Sequence, residues 1–183
     1  MKPGHMTAER VRAPQPGEEP PRRLDPDSLG THVQRLYRAA YGLCGSRQDA
    51  EDLVQDTYER VLRRPRFVRR DGDLPYLLKV MRNTWISSSR TTRVPTVPAD
   101  GDEIEQIGGH RDPIADSIQV APVYEALGEL TQPLREAVVA VDVIGLSYRD
   151  AARALGVKEG TIMSRLNRGR GQIAARLVEA ELV

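Results

Sequence analysis

The stretch "DAEDLVQDTYERVLRR" (Asp49–Arg64) carries five carboxylates in its first eleven residues: Asp49, Glu51, Asp52, Asp56 and Glu59. At the 100° step of a helix, Asp49, Asp52, Asp56 and Glu59 fall within an arc of about 80°. Gln55 borders that strip, and Ala50, Leu53, Val54, Thr57, Tyr58 and Val61 fill the opposite side. Such a strip repels phosphate, so this face does not belong on a nucleic acid. As a metal site it lacks a supporting His, and its acids are spread along about 15 Å of helix. A solvated charged face and a docking face for a cationic protein both remain open.

The opposite chemistry appears in "GTIMSRLNRGRG" (Gly160–Gly171), which has three arginines and no acid. On a helix, Ile162, Leu166, Ile173 and Leu177 share an arc of about 60° and face a core. Thr161, Ser164, Asn167 and Arg168 lie opposite, Met163 stands beside them, and Arg165 and Arg170 flank the face. Small polar groups with Asn suit base edges, and arginines suit phosphate or guanine. Just upstream, "SYRDAARALG" and the turn at Gly156 complete a helix-turn-helix pattern. Gly160, Gly169 and Gly171 each weaken a helix by about 1 kcal/mol relative to Ala. That loss is understandable where a backbone must approach closely.

A third group lies in "LPYLLKVMRNTWISSSR" (Leu74–Arg90). Lys79, Arg82, Asn83 and Arg90 point away from the apolar row Leu74, Leu77, Leu78, Met81 and Trp85, and Arg66, Arg69 and Arg70 precede it. Cations and amides near aromatic rings can hold unstacked bases.

Helices must position all three groups. The pattern from Leu29 puts Val33, Leu36, Tyr37, Ala40 and Tyr41 on one face and stops at Gly45; Ser46 then caps the acidic helix. "VYEALGEL" and "QPLREAVVAVDVIG" read as further helices, the second capped by Thr131 and ended by Gly145. No alternating strands are evident, so the fold is expected to be all-α, with two small helical domains. Residues 1–27 hold six of the 13 prolines and read as a disordered N-terminal tail. Residues 28–95 form the first domain, residues 96–120 a flexible acidic linker, and residues 121–183 the second domain.

The net charge of +1 conceals this division. Residues 28–95 carry 13 Lys/Arg against 7 Asp/Glu, and residues 96–121 carry one Arg against six acids. A single cysteine, Cys44, excludes an intramolecular disulfide and fits a reducing compartment as an inert, buried thiol. No apolar run approaches the roughly 20 residues of a membrane span, and the N-terminus lacks a signal-peptide apolar region. The expectation is a soluble cytoplasmic protein without metal or cofactor. Without a P-loop, a His-Glu-x-x-His or a nucleophile elbow, enzymatic chemistry is not expected.

Three segments in this order resemble one family. "LYRAAYGLCGSRQDAEDLVQDTYERVLRR" is similar to region 2.1–2.2 of the extracytoplasmic-function (ECF, group 4) sigma factors of the sigma-70 family. "LPYLLKVMRNTWISSSR" resembles their regions 2.3–2.4, and "LTQPLREAVVAVDVIGLSYRDAARALGVKEGTIMSRLNRGRGQI" their region 4. The resemblance implies a transcription initiation factor that binds core RNA polymerase through the β′ clamp and β flap and directs it to promoter DNA. By position, Asp52, Leu53, Gln55 and Asp56 match the clamp-docking residues. Asn83 matches the residue that captures a flipped −10 base, with Lys79, Arg82 and Ser87 around it. Met163, Ser164, Asn167 and Arg168 match the −35 contacts, with Thr161 and Arg165 on the DNA backbone. Met163 stands where the family usually has a basic residue; it can meet a thymine methyl but cannot fork onto guanine. The resemblance also implies an anti-sigma factor as partner, and membrane contact only through that partner. The acids of residues 96–120, among them Asp100, Asp102, Glu103 and Glu105, could mimic a nucleic-acid strand inside polymerase. The rival reading, a stand-alone helix-turn-helix regulator, accounts for residues 121–180 and leaves the acidic helix unexplained.

Overall fold

A computed structural model describes residues 22–24, 26–63, 67–68, 72–91 and 121–181. The chain is all-α apart from one two-residue β pairing among these residues. Region by region, the helices are α1 (Val33–Cys44), α2 (Arg47–Arg63), α3 (Asp73–Thr91), α4 (Ala121–Glu129), α5 (Gln132–Val138), α6 (Tyr148–Leu155) and α7 (Glu159–Glu181). A 3₁₀ helix, Pro26–His32, leads into α1, and a π-helical turn, Val139–Val143, continues α5.

Local chemistry sets the boundaries. Gly45 closes α1 in the left-handed conformation at φ 78°, and its N–H reaches Tyr41 O. Ser46 Oγ then accepts from Asp49 N at 3.2 Å, the expected cap of α2. Ser147 caps α6 by accepting from Asp150 N at 3.1 Å, and its hydroxyl donates to Asp150 Oδ2 at 2.6 Å. Thr131 has the extended backbone of a cap, but its side chain makes no capping bond.

The first core sits among α1, α2 and α3, with Leu36, Leu43, Val61, Leu77, Leu78 and Met81 almost fully buried. Thr57 is buried there too and donates its hydroxyl to Leu53 O at 2.7 Å. Tyr58 reaches the carbonyl of Leu29 at 3.0 Å, tying α2 to the 3₁₀ helix. The second core lies under α7, which packs on α4, α5 and α6 through Ile162 and Leu166.

Four features differ from the reading of the sequence. The ordered fold begins before residue 28: Arg22–Arg23 pairs antiparallel with Phe67–Val68, and Leu24 is 4% exposed within the first core. The helix expected from Leu29 starts as a 3₁₀ helix, which rotates Val33 out to solvent. The π turn widens the helix between α5 and Gly145, so Leu146 N bonds Ala140 O at 3.1 Å. Lastly, the two helical groups pack together, and their buried apolar residues form one continuous cluster. The remainder of the N-terminal tail (1–21) and the acidic linker (96–120) lie outside the described residues.

Candidate nucleic-acid and protein-docking interfaces

The acidic strip stands on the outer face of α2, with Asp52, Gln55 and Asp56 all exposed. Its carboxylates are not equivalent. Glu51 is paired with Arg47 at 3.0 Å and Glu59 with Arg63 at 2.9 Å, both one helical turn away. Gln55 leans toward Glu59 at 3.5 Å. No ion pair among the described residues engages Asp52 or Asp56, so their charge faces outward. Leu53 is different: at 6% exposure it belongs to the core and cannot be a surface contact. Its part is to fix the rotation of α2. Sequence reasoning missed Leu62, which is 52% exposed. It falls within about 20° of Gln55 two turns along the same helix, and the helical step alone could have found it.

On α3, Lys79, Asn83 and Ser87 are exposed along one face, and Ser87 Oγ donates to Asn83 O at 2.8 Å. Arg82 is engaged across the molecule. Its Nε stands 2.8 Å from Glu136 Oε2 on α5, in a charge contact rather than an aligned hydrogen bond. Trp85 is half-buried against the core, where its ring supports α3. Arg66, Arg69 and Arg70 lie outside the described residues, and nothing of the Arg90 side chain is described.

The helix-turn-helix is formed by α6, the left-handed Gly156 at φ 69°, and α7. Met163, Ser164, Asn167 and Arg168 are exposed on the outer face of α7; Thr161 and Arg165 are half-buried at its edges. Ser164 Oγ donates to Thr161 O at 3.0 Å, and Arg168 Nε donates back to Ser164 O at 3.3 Å. The neighbouring arginines are committed elsewhere. Arg170 forms a two-pronged pair with Asp142 at 3.0 and 2.6 Å, which raises its pKa further above the ordinary arginine value. Arg176 pairs with Glu129 at 2.9 Å. Of the three glycines singled out in the sequence, only Gly169 meets a close neighbour: a β-carbon there would lie 2.8 Å from Val138 Cγ2. Gly160 and Gly171 face open space. The close approach at Gly169 is helix on helix, not helix on DNA.

Cys44 ends α1 half-buried. Burial pushes its thiol up to about 12, with Asp49 adding to the rise and Arg135 opposing it. A thiol held protonated is a poor nucleophile. The described residues contain no cluster of His, Cys, Asp and Glu able to hold a metal, and no helix long and apolar enough to cross a membrane.

An exposed acidic face, a basic amide-bearing helix and a helix-turn-helix in this order agree with comparisons to known proteins. Residues 29–94 match the Sigma-70 region 2 model and residues 121–173 the Sigma-70 region 4 model. The chain is 36% identical over 146 residues to the ECF RNA polymerase sigma factor SigE of Mycolicibacterium smegmatis. That match covers 78% of this chain and 57% of SigE. It is also 34% identical to the ECF RNA polymerase sigma factor EcfG of Rhodopseudomonas palustris, over 82% of this chain and 83% of EcfG. The chain belongs to the ECF sigma factors of the sigma-70 family. As a sigma factor it is a transcription initiation factor.

Among solved structures this sigma factor resembles RpoE of Bartonella quintana in its complex with the anti-sigma factor NepR. The TM-score is 0.66 at 29% identity, over 82% of this chain and 94% of RpoE. CnrH, solved with the cytosolic domain of CnrY, shares the fold at 23% identity and a TM-score of 0.59. In this sigma factor the acidic face belongs to region 2 and the exposed face of α7 to region 4.

Proposed function

We propose that this sigma factor docks on the β′ clamp of core RNA polymerase through Asp52, Gln55 and Asp56, with Leu62 extending the contact. Region 4 engages the β flap, and promoter DNA is then held at two separated elements. Region 2 captures the unstacked −10 strand through Asn83, Lys79, Arg82 and Ser87. Region 4 reads the −35 duplex through Met163, Ser164, Asn167 and Arg168, with Thr161 and Arg165 on the DNA backbone.

The single observation carrying this reading is that Asp52 and Asp56 point outward unpaired among the described residues, while Glu51 and Glu59 beside them are paired with arginines of the same helix. A charged pair left uncompensated beside an amide and an exposed leucine suits a basic protein surface. The DNA-facing groups lie on other helices, so polymerase and promoter are bound by different sides of the molecule. An anti-sigma factor is the proposed inhibitor, and the working compartment is the cytoplasm. The segments 28–95 and 121–183 act as the two functional domains, and 96–120 as the tether between them.

A stand-alone helix-turn-helix regulator leaves the region 2 match without a role. Run-off transcription with core polymerase on genomic fragments tests the proposal; start sites that depend on this protein support it. Asn83→Ala should reduce open-complex formation more than polymerase binding. Tight sequence-specific DNA binding by the protein alone, with no transcript when polymerase is added, would favour the regulator.

A further inference from the structure

Region 2 contributes α1 and α3, and region 4 contributes α4, α5, the π turn and α6, to one shared interface. Gly42, buried on α1, shows how closely they meet. A β-carbon there would stand 3.0 Å from Val139 Cγ2, 3.6 Å from Tyr124 Cε1 and 3.8 Å from Leu127 Cδ1, all across the interface. Tyr41 packs edge-on against Tyr124, with ring centroids 5.0 Å apart.

Polar groups cross the interface in both directions. Arg35 of region 2 donates Nε–H to Ile144 O at 3.0 Å, just beyond the π turn. Arg135 of region 4 donates Nη1–H to Leu43 O at 3.0 Å, at the carbonyl end of α1. A third crossing is made by Glu136, whose side chain is only 2% exposed, against an Arg82 side chain that is 26% exposed. Gln132 Nε2 donates to the other carboxylate oxygen, Oε1, at 2.8 Å. A carboxylate buried this deeply needs a counter-charge. Its counter-charge belongs to the other region.

This packing cannot serve both promoter elements. The −10 and −35 positions lie about 25 base pairs apart, or roughly 85 Å along B-DNA. Here α3 is packed directly on α6, the first helix of the helix-turn-helix. The segment 92–120 is long enough to let the regions part, since extended chain reaches about 3.3 Å per residue.

We propose that Glu136 and Arg82 form a latch that holds the free sigma factor closed, and that engagement of core polymerase opens it. The latch engages a guanidinium of the −10 helix with a carboxylate of region 4, while Asp52 and Asp56 stay accessible for a first contact with polymerase. The second contact, by region 4, requires the interface to separate. Apparent affinity for polymerase is therefore lowered by the fraction of molecules that are closed. The inhibitory role rests on the polymerase-docking reading above; the latch itself does not.

The test uses the full chain in a Cys44→Ala background, with donor and acceptor dyes on Arg38→Cys and Gln172→Cys. Both labelled positions are exposed and lie in different regions. Energy transfer should be high in the free protein and fall on addition of core RNA polymerase. Glu136→Gln removes the buried charge with little change of shape. Gly42→Leu wedges the interface from a helical position whose close neighbours all belong to region 4. Each should lower transfer in the free protein and tighten polymerase binding by about tenfold. Helix content and thermal melting identify any variant that fails to fold, and the other variant then decides. Equal transfer in wild type and the folded variants would overturn the latch. Reduced transfer with unchanged polymerase affinity would overturn its inhibitory role. If no form bound polymerase, the docking reading would fall, while energy transfer would still decide whether the latch exists.

Discussion

Asp142 in the π turn holds Arg170 of α7 by both guanidinium arms, at 3.0 and 2.6 Å, while Arg168 two residues earlier reaches only back along its own helix. The two arginines look alike in the sequence, and they differ in what they can offer DNA. Arg168→Ala should weaken promoter binding and reduce the slope of log affinity against log salt by about 0.9 if it contacts one phosphate. Arg170→Ala should leave that slope unchanged. Binding titrations of the polymerase holoenzyme at several salt concentrations separate them; equal slope changes would show that the Asp142 pair opens on DNA.

The acids of α2 should separate in the same manner. Asp52→Ala with Asp56→Ala should weaken binding to core polymerase by roughly tenfold or more while leaving the melting temperature nearly unchanged. Glu51→Gln, which removes a charge already paired with Arg47, should have a much smaller effect. Surface-immobilised core enzyme gives both affinities. Unchanged binding of the double variant would remove α2 from the docking surface.

Two glycines on α7 should respond with opposite signs. At Gly171 an added methyl meets open space, so Gly171→Ala should stabilise the helix by up to about 1 kcal/mol. At Gly169 the methyl meets Val138, a buried, β-branched side chain with little freedom to move. Gly169→Ala should therefore destabilise by about 1–2 kcal/mol net, because overpacking exceeds the gain in helix propensity. Urea denaturation of the two variants reads the sign directly.

Cys44 should be slow to alkylate in the folded protein at pH 8 and fast in denaturant. Burial pushes its thiol up to about 12 from the ordinary 9.0, so folding favours the protonated form. The stability that this group contributes is complete below pH 9 and is lost as pH rises from about 9 toward 12. Cys44→Ala should flatten part of the alkaline fall in stability. Tyr58, also pushed up to about 12 by burial, acts in the same direction from its ordinary 10.0 and will remain in that variant.

Periodicity and end signals in the sequence determined the helices and which side of each faces a core. Leu36, Leu77, Met81, Ile162 and Leu166 are buried as their spacing requires, and Gly45, Gly145 and Gly156 end their elements at positive φ. Such features are local, because a residue's position on a helix depends only on neighbours three or four places away. The outward direction of Asp52, Asp56, Asn83, Asn167 and Arg168 was legible for the same reason. The tertiary structure alone decided the partners of charges distant in the chain. Arg170 finds Asp142, 28 residues earlier, and Arg82 meets Glu136 across an interface between regions. Glu136 left one trace, as an acid inside the apolar run "LREAVVAV", but a buried carboxylate does not name its counter-charge. The 3₁₀ start at Pro26, the π turn and the seating of Leu24 likewise depend on packing. Their local hydrogen-bond energies differ little from those of the alternatives, so contacts made far along the chain select among them.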